Sequence, residues 1–265
     1  MNGRRWERWL AVLSAPALFA LPNSIAQAAE ANSVGLGFSY LSFRYAEFPD
    51  NDRLRNKDTG FLPGMNAALK FTPGSWRIGV AGSFHGGAVD YDGATSSFRP
   101  HRTQTDTQIF NGMASLGYAF KSANRVSLTP YIGAGYRYWR RDILPNSGVS
   151  GLLENYRWFY GALGLELDWK NSEPFSIGAD LRFIRPINPK LDVKISPETT
   201  LDLGPRTGFR LGVPINWSLR GNFGIALEPY YERQDLGASP PKNGVLEPSS
   251  DTDIFGIHLS GRFTF

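Results

Sequence analysis

The chain has 265 residues, a formal net charge of +4, 14% aromatic residues, 29 glycines and no cysteine. The lack of cysteine excludes a disulfide framework, a thiolate metal site and a cysteine nucleophile. No basic run interleaved with stacking aromatics occurs, so the mild positive charge is not a nucleic-acid footprint.

Arg4, Arg5 and Arg8 precede an apolar run from Leu10 to Leu21, and Ala26-Gln27-Ala28 follows. A charged region, an apolar region and a small-x-small site in that order predict a secretory signal segment, residues 1–28, removed after Ala28. The apolar run has 12 residues, too few for a membrane-spanning helix of about 20. The expected mature domain, 29–265, then carries 25 basic and 23 acidic residues.

The rest alternates apolar and polar residues with period two, the signature of strands with two different faces. Ten runs are predicted as strands: 33–48, 59–72, 76–92, 104–121, 125–143, 154–170, 175–195, 206–220, 223–237 and 251–265. In the eighth, Phe209, Leu211, Val213, Ile215 and Trp217 share one face, and Arg210, Gly212, Pro214, Asn216 and Ser218 the other. Connections after even runs are tiny: Pro73-Gly74-Ser75, Ser122-Ala123-Asn124, Asn171-Ser172-Glu173-Pro174 and Gly221-Asn222. Those after odd runs are longer: 49–58, 93–103, 144–153, 196–205 and 238–250. Phe71, Trp76, Phe120, Trp169, Phe175, Trp217 and Phe223 bracket the tight turns. Tyr136, Tyr138, Trp158, Phe159, Tyr230 and Tyr231 gather at the opposite ends. Pro130, Pro186, Pro214 and Pro229 fall inside runs, where each removes a ladder hydrogen bond, so bulges or strand ends are expected there. Pro186 and Pro189 leave open an eight-strand alternative with a hairpin near 187–203.

Short turns opposite long loops, two aromatic bands and an alternating last run resemble the small bacterial outer-membrane β-barrels. The terminal Phe265, with Phe263 two residues earlier, resembles the signal by which such barrels are read by their assembly machinery. The resemblance implies an all-β, closed, antiparallel up-and-down transmembrane barrel, most simply of ten strands. It also implies outer-membrane location, contact with outer-membrane lipid and lipopolysaccharide, and a monomer.

Alternation places Lys70, Arg77, Arg137, Arg182, Arg210, Arg220 and Arg262 on the polar, lumenal face with Glu166, Asp168, Asp180, Glu228 and Glu232. Buried charges must pair, and a barrel little wider than eight strands can be filled by side chains. The expectation is a charge network plugging the lumen, with a narrow polar pore as the alternative. Gly35, Gly37, Gly133 and Gly135 recur at strand spacing, as sites that make room in a narrow lumen or receive a bulky neighbour.

Enzymatic candidates are thin. His258-Leu259-Ser260 resembles the His-x-Ser pair of lipid A deacylases, but their downstream Glu is missing and both side chains are expected to face the lumen. Asp90 and Asp92, with His101 as a possible base, resemble part of the omptin protease site; no Asp-x-His occurs. Asp251 and Asp253 share the outer end of the last strand. Asp50, Asp52 and Asp58 fit no calcium-loop spacing, and no metal or cofactor is expected. The reading is a non-enzymatic barrel with a structural or surface-interaction role and an extracellular ligand still to be identified. A small-solute channel is the alternative, and a membrane-embedded hydrolase the third.

Overall fold

The computed structural model describes residues 32–48, 56–95, 99–122, 125–172 and 174–265. The segment 1–28 with its expected cleavage site, Asp50, Asp52, Ala123 and Asn124 lie outside these residues.

Alternating strands with one apolar face can satisfy every backbone group only by closing on themselves, and they do so here. The staves are β1 (Ser33–Phe48), β2 (Asn56–Phe71), β3 (Trp76–Ala94), β4 (Pro100–Tyr118) and β5 (Val126–Ile143). They continue with β6 (Leu152–Ser172), β7 (Phe175–Val193), β8 (central piece Gly208–Gly212), β9 (Phe223–Gly237) and β10 (Ser249–Thr264). Each pairs antiparallel with its sequence neighbours, and β1 meets β10 from Ser33 opposite Thr264 to Phe48 opposite Ser249, closing the ring. Four short strands prolong these staves. Phe120–Lys121 carries β4 onward, Thr199–Asp202 and Gly204–Pro205 lead into β8, and Ile215–Ser218 follows it.

The count is therefore ten, and the eight-strand alternative is set aside. The chain does fold back at 194–198, but as the outer turn joining β7 to the first piece of β8. Pro130 and Pro229 sit opposite Leu165 and Ile257 without a register shift. Pro214 splits β8, and the ladder continues because Gly178 N–H donates to its carbonyl. A bulge between Arg157 and Phe159 lies beside Pro186.

Three inward glycines each face a tyrosine directly across the ladder: Gly164 opposite Tyr131, Gly135 opposite Tyr160 and Gly256 opposite Tyr230. A Cβ on Gly164 would lie 2.1 Å from the Tyr131 ring. The missing side chain is the slot for the ring, which covers bare backbone in return.

The outward face forms an apolar belt. On β1 it is Val34, Leu36, Phe38 and Tyr40, all exposed, and then the outward residues become Ser42 and Arg44. The inward face changes in the opposite sense at the same place, to Leu41, Phe43 and Tyr45, which are buried. Several strands begin or end farther out than their periodicity predicts. β2 starts at Asn56 and β4 at Pro100, so the connections expected at 49–58 and 93–103 are shorter. The wall thus rises past the belt as a collar. Within the belt the polar residues face in; in the collar water lies outside, and the apolar residues turn in.

Candidate functional site

The interior is filled at two levels by different chemistry. The lower level lies inside the belt. Arg137 Nη2 meets Glu232 Oε1 at 2.5 Å, and Arg210 Nη2 meets Glu228 Oε1 at 2.8 Å. Arg210 also lies 3.7 Å from the Tyr230 ring centroid. Arg182 bonds Asp180 at 3.0 Å, and the Tyr131 hydroxyl donates to the same carboxylate at 2.5 Å. Lys70 reaches Glu166 at 3.1 Å, and Arg262 donates to Asn216 at 3.2 Å. Arg77 is buried and donates to the Trp76 carbonyl at 3.3 Å; Asp168 is half-buried on the same inward face. The charges arrive on the inward face by simple alternation, Asp180 and Arg182 two residues apart on β7 and the other pairs from different strands, so the pairing needs no irregular backbone.

Arg220 departs from the expected lumenal set. It is exposed in the tight turn after Ile215–Ser218, where β8 has already ended. Trp158 and Tyr230, expected in the outer aromatic band, are inward and only 4% and 8% exposed. Parity decides this: each lies one residue from an outward neighbour, Phe159 or Tyr231.

The upper level lies in the collar, and sequence reasoning missed it. Arg141 on β5 is 1% exposed. Its Nε donates to Asp58 at 2.6 Å, and its Nη1 donates to Glu154 at 2.6 Å and Glu47 at 3.0 Å. Its guanidinium carbon also lies 4.9 Å from the Tyr45 ring centroid. Asp58, expected to be a loop residue, is a fully buried inward residue of β2. A fourth carboxyl, Glu247, reaches in from the connection between β9 and β10. Its Oε1 accepts from Tyr156 at 2.7 Å and Tyr45 at 3.0 Å. Trp139 stacks on Tyr156 at 4.5 Å beside them, and Leu41, Phe43, Leu62 and Leu191 complete the packed core.

Among the described residues one cation, Arg141, pairs with three carboxyls and a fourth stands close by in an apolar surround, so protons must make up the difference. Burial raises Glu154 to about 7, against the opposing pull of Arg141 and with the push of Glu47. Burial, then the neighbouring Glu47 and Glu154, raises Glu247 well above the usual carboxylate range. The parity that placed Arg137 inward also places Glu47, Arg141 and Glu154 inward. Glu247 sits in a connection and carries no such mark.

The enzymatic candidates do not converge. Asp90 and Asp92 lie on the outward face of β3 and are exposed, whereas His101 faces inward on β4. Asp92 pairs with Arg102 at 3.2 Å on the surface. Asp251 and Asp253 are outward too and bind Arg233 and Arg44. His258 stacks on Tyr230 at 4.7 Å, and Ser260 donates to Asn66 at 2.6 Å, so neither addresses the other. Ser39 and His85 do meet, at 2.6 Å, but both are buried in the packed interior. Among the described residues, no group of three or more His, Asp or Glu side chains is arranged to hold a metal.

A family model described as the outer membrane protein beta-barrel domain matches residues 11–263. The chain belongs to that family. No curated protein sequence matches it. Among solved structures, the outer membrane protease OmpT from Escherichia coli superposes with a TM-score of 0.60 at 11% identity, over 88% of this chain and 96% of that one. The transport unit of the Escherichia coli autotransporter AIDA-I gives 0.48 at 8% identity, over 94% of each chain. The toluene transporter TbuX from Ralstonia pickettii gives 0.41 at 10% identity, over 90% of each. At these identities the likeness is one of fold alone.

Proposed function

We propose that this member of the outer-membrane β-barrel family is a closed, non-enzymatic barrel of the bacterial outer membrane that works through its collar and outer turns, in surface interaction. The observation that carries the reading is the double filling of the lumen. A solute entering from outside meets the aromatic and carboxyl cluster around Arg141, and then the paired charges around Arg137, Glu232 and Arg210. The charges of both levels are paired across the interior, whereas a channel needs polar groups left to line a continuous path. With the interior filled, the surface available to an external partner is the outside of the collar. In the same reading, Phe263 and Phe265 serve assembly, the apolar belt faces outer-membrane lipid, and the barrel acts as a monomer.

Planar-bilayer recordings of the refolded 29–265 domain test the closure. No single-channel steps are expected, and stable, reproducible steps would overturn the reading in favour of a narrow channel. Attachment of cells displaying the protein tests the surface role. Replacing 144–150 by a two-residue turn is expected to reduce attachment while heat-modifiable gel mobility is kept.

A further inference from the structure

One charge on the outer wall does not fit the belt around it. Arg185 is an outward, exposed residue of β7, between Phe183 and Ile187 on the same face. It lies about ten residues along the strand from Phe175 in the lower aromatic ring. At ~3.3 Å per residue and a tilt of ~40°, that is about 25 Å of height. The apolar band of an outer-membrane barrel is also about 25 Å tall, so Arg185 sits near its upper margin. A lipid-exposed arginine is costly unless its head finds a polar partner.

Its protein partner here is weak: Nη1 donates to the Thr207 hydroxyl at 3.3 Å, and among the described residues no carboxylate pairs with it. The contrast with its neighbours is sharp. Arg157 is bound to Asp192 at 3.0 Å, and Lys190 lies 3.4 Å from Asp202. The residue facing Arg185 across the ladder is Gly161, where an added Cβ would meet nothing within 4 Å. The guanidinium therefore borders open space, a hollow of about 290 Å³ lined by Gly161, Leu163, Phe183 and Thr207. Past Phe159 a second hollow of about 750 Å³ opens on the outer wall over the small outward residues Gly82, Gly112, Ala114 and Ala134. That size falls in the ~300–1,000 Å³ range of ligand sites.

We propose that Arg185 is the head of a binding site for a phosphorylated lipid of the outer leaflet. The phosphate sits on the guanidinium and the Thr207 hydroxyl, and acyl chains lie in the two hollows below. The inference rests on the membrane placement proposed above. Charge complementarity selects the occupant. At this height the abundant partner for an unpaired guanidinium is a phosphate group, which it binds through paired N–H donors. Arg157 and Lys190, one step higher, are neutralised by Asp192 and Asp202 and are not free to bind.

The test is native mass spectrometry of the refolded protein released from vesicles that contain phosphatidylcholine and lipid A. Wild type is expected to keep lipid A in preference to phosphatidylcholine. Arg185→Gln should lose about fivefold of that preference, the worth of one basic residue at a lipid surface. Arg185→Lys should keep part of it, and Arg157→Gln most of it. Dephosphorylated lipid A should not be preferred by any variant. Equal retention by wild type and Arg185→Gln overturns the proposal. So does displacement of the lipid by millimolar inorganic phosphate, which would mark a free-anion site. A dimer that Arg185→Gln abolishes overturns it in favour of a second copy of the chain. Heat-modifiable mobility of each variant is measured first. Its loss in wild type would refute the membrane reading itself, and its retention with no lipid preference refutes only the site.

Discussion

Glu154→Gln tests the upper level where its physics is most exposed. The folded chain holds Glu154 at about 7, against an ordinary value of 4.5. Between those values the folded state keeps a proton that the unfolded chain has released. Stability is therefore fullest below pH 4.5 and falls as the pH rises through 7. At 1.36 kcal/mol per pH unit, the gap corresponds to about 3 kcal/mol. Glu247, raised in the same sense, extends the decline to higher pH. Glutamine keeps the shape and removes the titration, so the variant should lose most of the decline between pH 5 and 7. It should also relieve part of the push on Glu247. The assay is urea unfolding of the refolded barrel in vesicles at pH 5, 6, 7 and 8, read by gel mobility and tryptophan emission. Asp192, whose pKa is lowered by hydrogen bonds from Thr200 and Arg157, acts below this window. A wild type equally stable from pH 5 to 8, or a Glu154→Gln variant with the wild-type slope, would refute the reasoning.

Two further outcomes follow from the same interior. Arg141→Met removes the cation that pairs with Glu47, Asp58 and Glu154 and is expected to cost about 3–5 kcal/mol at pH 8. The cost should shrink at pH 5, where protonation replaces the lost charge; equal losses at both pH values would argue against the carboxyl cluster. Gly164→Ala puts a methyl 2.1 Å from the Tyr131 ring, and Tyr131 is held by Asp180 and Arg182. An overpacking loss of about 1–3 kcal/mol is expected, measured by the same unfolding assay, and a neutral result would show that the ring can withdraw.

The belt was legible because two signals coincide there. Period-two alternation gives the faces, and Trp76, Trp169 and Trp217 mark the lower margin. Lys70, Arg137, Arg182, Arg210 and Glu232 were placed inward by parity alone. Parity failed at Arg220, because it says nothing about where a strand stops, and Gly221 with its positive φ of 68° ends this one. The collar was illegible for a different reason. Above the belt the apolar and polar faces exchange sides, so Phe43 and Tyr45 read as a continuing apolar run when they have moved to the opposite face from Phe38 and Tyr40. A reader who fixes the outward face by hydrophobicity loses the thread at Tyr40-Leu41, where two apolar residues stand side by side. That adjacent pair is the sequence trace of the exchange, and the same trace stands at Phe61-Leu62.

The exchange of faces also explains why the two levels should answer differently to pH. In the belt the lumen is polar by construction, and Lys70, Arg77, Arg137, Arg182, Arg210 and Arg262 stand against Glu166, Asp168, Asp180, Glu228 and Glu232 in nearly equal number. Ion pairing alone can balance that level. In the collar the interior is apolar, and an arginine buried there must bring its counterions with it. Asp58, Glu47 and Glu154 overshoot the single charge of Arg141, and Glu247 adds to the excess from the β9–β10 connection. The surplus can be neutral only by holding protons. The connection that carries Glu247 is therefore docked most firmly when the carboxyl is protonated, with both tyrosine hydroxyls on its Oε1. Ionisation places a second full negative charge beside Glu47 and Glu154. The part of the molecule nearest the medium is thus the part whose packing depends on the medium's acidity, while the lower filling keeps the lumen closed beneath it.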